Sequence, residues 1–560
     1  MKYSRLLAVA VLLIASMSLI AGGTQSQEKP LTSSEKMDEL FEFWNRLDQP
    51  GYAVIVVKDG QVVYQKCFGL AILEGGVPNT PKTIFNVATL AQAFTGMAVA
   101  MLEKQGKLSL DDDVRKYIPD LPDFGTPITI RLLLSHSSGF HDWPSLMKLA
   151  GWEEEDMTTA RILKMVKSQK RLGFVPGSRC SYSATNFDLL AEIIKRATGQ
   201  PLRDWAWENM FKPLKMTRTQ FRENYREVIE NQAFSYNYSR TLGFMKGLDN
   251  VSAAGSHSLF ISLEDLGKWL LNLETGQVGG RDMFQKMFSP GKLDGGETAD
   301  FAYGLHVDTY KGLKRVYETG DWAGSGVAFE YYPDQKFGFV LLSNWDYAYP
   351  QYFVQDISGI FLGSVFKPEK PVPPAKPKKE VKVKPAIYDQ YAGDYRIEQG
   401  GVYTLAREGD RLMIGVSGQK YQLFPLSPTQ FFLKIADVLI TFQKSKEGKF
   451  DQFALEEGGT KIIASRVELV RPTPQQLQEF AGTYYNDELE ARYSVELRND
   501  NLVMVHPRLG DIRLSPEVQD HFIGSSPVFR RVVFSRDKQK NVSGFFIDSE
   551  PSRDIVFVKK

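Results

Sequence analysis

The chain has 560 residues, and 68 lysines and arginines against 67 aspartates and glutamates leave a formal charge of +1. That balance gives no electrostatic reason to expect a nucleic-acid partner, so a small-molecule or peptide ligand is the expected one. The length exceeds what one hydrophobic core holds, and roughly two to four domains are expected.

At the N-terminus, Lys2 and Arg5 precede an apolar run from Leu6 to Ala21 and the small residues of AGGTQSQ. This pattern predicts a secretory signal peptide over residues 1–23, a periplasmic or secreted product, and no membrane span after cleavage. In TSSEKMDELFEFWNRL, Met37, Leu40, Phe41, Trp44 and Leu47 recur at helical spacing, and Thr32 with Glu35 forms a capping box. Asp59-Gly60 between two β-branched runs predicts a hairpin. The stretch FNVATLAQAFTGMAVAML, Phe85 to Leu102, reads as a buried helix closed by Gly106, with Thr89 and Gln92 on one face near its start. A helical region from about Ile128 to Phe221 and the helix ISLEDLGKWLLNL follow. Four strand-like runs, FAYGLHVD, LKRVYETG, SGVAFEYYP and KFGFVLLSN, complete an antiparallel sheet built from both ends of this region.

Residues 367–386, KPEKPVPPAKPKKEVKVKPA, read as an extended linker after a first domain spanning 24–366. Beyond it the chain repeats itself: YAGDYRIEQGGVYTLAREGDRLMI aligns with FAGTYYNDELEARYSVELRNDNLVM, predicting two small all-β barrels at 387–470 and 471–560. Cys67 and Cys180 could pair in an oxidising compartment, although two separate buried thiols is the plainer reading. No set of His, Cys and carboxylate residues has metal-ligand spacing, and no cofactor is called for. The oligomeric state is left open.

The segments GYAVIVVKDGQVVYQKCFGLA, TIFNVATLAQAFTGMAVAMLEKQGKLSLDDDVRKYIPDLP, ITIRLLLSHSSGF, PGSRCSYSATNFDLLAEIIKRATGQPL and SLFISLEDLGKWL resemble, in order and spacing, the penicillin-binding and class C β-lactamase-related serine hydrolases. The tail repeats resemble the lipocalin-like modules that follow such domains. The resemblance implies an α+β fold, a β-lactamase-like antiparallel sheet with an inserted helical block, followed by the two barrels. It also implies three motifs: Ser-x-x-Lys opening a buried helix, Tyr-x-Asn on a loop, and Lys- or His-x-Gly on a facing strand.

At those positions stand Thr89-Leu90-Ala91-Gln92, Tyr182-Ser183-Ala184 and Glu318-Thr319-Gly320, followed by Asp321. The resemblance makes Thr89, Gln92, Tyr182 and Glu318 the catalytic positions, and Ala184, Thr319, Gly320 and Asp321 the substrate-binding ones. Thr89 keeps a hydroxyl with a stiffer χ1. Gln92 is an amide that takes up no proton near neutral pH, and losing a general base typically costs on the order of 10² to 10⁴ in rate. Glu318 reverses the charge of the family's cation, which predicts a cleft that favours an uncharged or cationic ligand. His136 is expected to be a structural turn residue and His257 a local one; Trp143, Trp322 and Trp345 are core or cleft lining. The leading expectation is therefore a catalytically impaired homologue acting as a binding or scaffold module. The alternative is an active peptidase-, esterase- or amidase-type hydrolase with Thr89 as nucleophile and Glu318 or Tyr182 as base. A Glu318 oxygen or the Tyr182 hydroxyl within about 3.2 Å of the Thr89 hydroxyl would favour that alternative. In a third reading the barrels carry the main function by binding a partner.

Overall fold

The computed structural model describes residues 31–153, 155–346, 348–368, 378–397, 401–416, 419–445, 448–457, 460–548 and 553–560. The expected signal peptide and residues 369–377 of the expected linker lie outside the described residues.

Helix α1, Ser33–Phe41, opens on the expected capping box: Glu35 N–H donates to Thr32 Oγ1 at 3.3 Å and Thr32 N–H to Glu35 Oε2 at 2.7 Å. It ends sooner than the periodicity suggests. Phe41 is clamped between the rings of Phe68 and Phe353, the chain tightens into a 3₁₀ turn at Glu42–Trp44, and Leu47 is left 74% exposed. Strands β1, Tyr52–Lys58, and β2, Gln61–Cys67, form the hairpin. Asp59 and Gly60 take positive φ of 49° and 73°, the backbone that a tight two-residue hairpin turn requires.

The apolar stretch beginning at Phe85 is not one helix. Phe85 and Asn86 belong to strand β3, Ile84–Asn86; a 3₁₀ turn covers Ala88–Leu90, and helix α2 runs from Ala91 to Lys104. Two interactions interrupt it: β3 pairs with strand β4, Leu259–Ser262, and the Asn86 side chain accepts the Ala88 N–H at 2.9 Å. The inserted helical block includes α3, Trp143–Ala150, α4, Thr159–Ser168, and α5, Ala184–Thr198. Helix α6, Leu263–Thr275, follows β4.

The first of the four C-terminal runs is broken by a tight turn into β5, Phe301–Ala302, and β6, Leu305–Tyr310; then come β7, Leu313–Trp322, β8, Ser325–Tyr332, and β9, Phe337–Ser343. They make a seven-stranded antiparallel sheet ordered β5-β6-β7-β8-β9-β1-β2. Alternation along β1 divides its side chains between two cores: Ala53, Ile55 and Val57 face the core around α2, and Tyr52, Val54 and Val56 face α1 and the last helix of the first domain, α7, Val354–Leu362.

The tail forms two closed eight-stranded barrels, from Gly393–Ile397 to Thr460–Val467 and from Gly482–Asn486 to Val556–Lys559. The repeat is visible in their cores. Tyr395 donates to the Tyr391 carbonyl at 3.0 Å, and its counterpart Tyr484 to the Phe480 carbonyl at 2.7 Å. The second barrel shares one continuous apolar core with the first domain. Its Tyr493 hydroxyl donates to the Leu149 carbonyl in the last turn of α3 at 2.6 Å, and Arg508 pairs with Glu155 at 2.9 Å. An ion pair of 3.4 Å between Arg396 and the buried Glu517 ties the barrels together.

The Tyr493 bond satisfies one of the carbonyls a helix end leaves open, inside a water-excluded junction. Tyr493→Phe is therefore expected to cost about 1 kcal/mol, read as a lower urea midpoint for the full chain.

Candidate functional site

Thr89 is carried on the turn between β3 and α2. Asn86 accepts the Ala88 N–H and donates its own amide to Asp249 at 3.0 Å, and Val87 N–H reaches the Leu259 carbonyl at 3.1 Å. Held this way, Ala88 takes a φ of 45°, a left-handed backbone that an alanine adopts only under constraint from its surroundings. Strand β7 passes directly over the result. A Cβ on Gly320 would lie 1.9 Å from Thr89 Oγ1, so a residue larger than glycine cannot occupy this crossing.

Two residues before Gly320 and on the same face of β7, Glu318 meets Thr89. The Thr89 hydroxyl donates to Glu318 Oε1 at 2.6 Å. Glu318 is 4% exposed and Thr89 8%. Burial pushes the Glu318 carboxyl up from its ordinary 4.5 to about 8, while the bond from Thr89 pulls it the other way. Below about pH 8 the group is mostly neutral, so it does not present a ligand with the negative charge its sequence position suggests.

Gln92 faces away from this pair into a closed network. Its Nε2 donates to the Tyr182 hydroxyl at 2.8 Å, and its Oε1 lies 3.0 Å from His136 Nε2. Ser183 N–H donates to His136 Nδ1 at 3.2 Å, and Asn186 Nδ2 stands 3.1 Å from the same nitrogen. Nδ1 is thus the acceptor, and Nε2 carries the proton given to Gln92. Burial lowers His136 to about 3, and the same cause, with Asp142 and Glu318 nearby, raises Tyr182 well above its ordinary value. Both rings are neutral at physiological pH. Gly304, at φ 81° in the β5–β6 turn, lies so close that a Cβ there would be 2.7 Å from Gln92 Cβ.

The remaining motif positions separate. Ala184 is fully buried at the start of α5, and its N–H donates to Asp142 Oδ1 at 2.9 Å. Thr319 and Asp321 alternate to the other face of β7 and are exposed. Trp322 returns to the Glu318 face: its indole donates to Asp249 Oδ1 at 3.1 Å, and its ring lies 4.5 Å from His257 and 6.1 Å from Trp143. Asp249 is itself paired with the buried Arg222 at 2.7 Å. Trp345 lies on the opposite side of the sheet against Trp44 and Phe244. His136, read from sequence as a turn residue, does sit in a turn with a φ of 51°, and there it also holds Gln92. Asp249 carries no sequence signal, because it belongs to no spacing pattern, and His257 reads from sequence only as a local residue. A cavity of about 180 Å³ beside the site is lined by Asn86, Arg222 and Asp249. Both cysteines are free thiols. Among the described residues no group of three or more His, Cys, Asp or Glu could hold a metal ion, and no helix is long and apolar enough to cross a membrane.

Residues 38–357 match the Beta-lactamase family model, and the chain belongs to that family. Residues 377–465 match a domain of unknown function, DUF3471. The chain is 28% identical to Penicillin-binding protein 4* of Bacillus subtilis (strain 168) over 454 residues, covering 77% of this chain and 98% of the relative. It is 22% identical to a D-aminopeptidase of Brucella canis over 523 residues, covering 91% and 95%. The fold is similar to that of an octameric penicillin-binding protein homologue from Pyrococcus abyssi, with a TM-score of 0.54, 24% identity and coverage of 77% of this chain and 99% of that one. A penicillin-binding protein from Bacillus halodurans is similar at a TM-score of 0.52 and 20% identity, with coverage of 58% and 100%. At these identities the solved structures establish the fold alone.

Because the Glu318 carboxyl is raised on folding, the folded chain holds a proton that the unfolded chain loses near 4.5. Its stability therefore falls as pH rises from about 4.5 to about 8, with the loss complete above the folded value. Glu318→Gln, which can still accept from Thr89, is expected to remove that slope. Urea unfolding at pH 5 and pH 9 should find the variant gaining on the native chain by an amount on the order of a few kcal/mol at the higher pH.

Proposed function

We propose that this chain is a hydrolase of the acyl-transfer type rebuilt around a threonine, with Thr89 as nucleophile and Glu318 as its base. The observation that supports it is the 2.6 Å bond from the Thr89 hydroxyl to the Glu318 carboxyl in a pair shielded from water. A nucleophile within hydrogen-bond reach of a base, and a base whose affinity for protons lies near the working pH, are the two requirements of this chemistry. In the ionised form Glu318 takes the Thr89 proton as Oγ1 attacks an ester or amide carbonyl. It returns that proton to the departing alcohol or amine, and water then releases the acyl group from Thr89. Tyr182, bonded to Gln92, stands as the neighbouring hydroxyl and not as the base. The Brucella relatives are named D-aminopeptidase, which makes short peptides the first substrates to try. The predicted leader would place this activity in the periplasm or outside the cell.

A second reading, a binding or scaffold module without turnover, is favoured by the Gln92 network, in which every polar group is neutral and already bonded. The two readings part in their pH dependence. With Glu318 near 8, about a tenth of it is ionised at pH 7 and nine tenths at pH 9. Labelling by a fluorescent fluorophosphonate is expected to rise roughly tenfold over that range and to disappear in Thr89→Ala and Glu318→Gln. Absence of Thr89-dependent labelling at pH 9 would reject the hydrolase and leave the binding module.

A further inference from the structure

A second buried polar chain runs beside the one that holds Gln92, and the proposed chemistry does not use it. Asp188 on α5 is 3% exposed. Its Oδ1 accepts Ser256 N–H at 3.1 Å, and its Oδ2 accepts the Trp143 indole at 2.5 Å and lies 2.8 Å from Ser256 Oγ. No cation pairs with it among the described residues. A buried carboxyl without a counter-charge is expensive to ionise. Burial, with the Asp142 charge adding to it, pushes Asp188 up to about 7. Ser256 Oγ is also 2.8 Å from His257 Nδ1. The His257 ring rests against Trp322, which shares a face of β7 with Glu318 and Gly320, and its Nε2 makes no hydrogen bond among the described residues.

We propose that Asp188, Ser256 and His257 form a proton relay that decides which ring nitrogen of His257 carries its hydrogen beside Trp322. The Ser256 hydroxyl has one proton and two neighbours that can accept it, so two arrangements exist. With Asp188 ionised, Ser256 donates to Asp188, His257 Nδ1–H donates to Ser256, and His257 Nε2 offers a lone pair. With Asp188 protonated, the carboxylic acid donates to Ser256, Ser256 donates to His257 Nδ1, and Nε2 carries the hydrogen. The second arrangement holds one more proton than the first. It is reached when a solvent proton binds Nε2, the Nδ1 proton passes to Ser256, and the Ser256 proton passes to Asp188. The imidazole is neutral at both ends of the transfer, in keeping with the burial that lowers His257 to about 3.

Beside Trp322, His257 Nε2 therefore offers a lone pair above the Asp188 titration and an N–H below it. Of the charged and titratable groups on the surrounding elements, Asp142 at the N-cap of α3 acts on Asp188 and Tyr182 before α5 is coupled to it, while Lys148 within α3, Glu318 on β7 and the Asp249–Arg222 pair behind Trp322 stand on neighbouring elements. The relay itself does not depend on acylation.

The test is the tautomer of His257, read from long-range ¹H–¹⁵N couplings in the full chain labelled at its six histidines and assigned by the signal lost in His257→Gln. Between pH 5.5 and 9 the expected result is a change from Nε2–H to Nδ1–H with a midpoint near that of Asp188, without an imidazolium signature. The change should vanish in Asp188→Asn and, should that variant fail to fold, in Ser256→Ala. A single tautomer across the range in the native chain, a charged ring, or a switch surviving in both variants would overturn the relay. A switch retained in Thr89→Ala supports it independently of whether the native chain is acylated, so the two proposals fail separately.

Discussion

The hydrogen bond from Thr89 to Glu318 is the constraint around which the site is arranged, because it brings a carboxyl into a place from which water is excluded. Such a group needs a donor, and Thr89 is the donor it has among the described residues. Making the bond requires β7 to lie almost on top of the turn before α2, which in turn requires glycine at 320 and a left-handed backbone at Ala88. Burial then has two opposed effects. It raises the carboxyl's appetite for the hydroxyl proton, and it keeps the carboxyl neutral over much of the physiological range.

The start of α5 joins the other parts of the site. Asn186 stands against His136, which holds Gln92, and Asp188, two residues on, receives Ser256 and Trp143. Asp142 fixes this helix start through the Ala184 N–H and also caps α3. The far end of α3 is where the second barrel attaches, through Tyr493. Barrel, α3 and α5 thus form one continuous packed path to Trp143 and Trp322. Displacing the barrel would disturb the helix that supports Trp143.

Much of the architecture is legible in local pattern. The Asp59-Gly60 hairpin, the Thr32 capping box and the repeated barrel segments each follow from residues close together in the chain, where turn chemistry and period-two alternation act directly. Pattern fails where distant segments intervene. The apolar stretch from Phe85 has helical composition throughout, yet its first residues are drawn into pairing with β4, more than 170 positions away. The sheet alternation that sends Trp345 to one core and Trp322 to another is likewise set by neighbours on other strands.

The sequence by itself determined the family, the order of the domains and which residues stand at the positions where the resembling family carries its motifs. Those are properties of residue identity and spacing. Only the tertiary structure decided what those residues contact: that Glu318, 229 residues from Thr89, is its hydrogen-bond partner, that Gln92 belongs with Tyr182 and His136, and that His257 lies against Trp322. The physical reason is that proton affinity depends on burial and on separations of a few ångströms, and those exist only once β7, α2 and α5 have packed against one another.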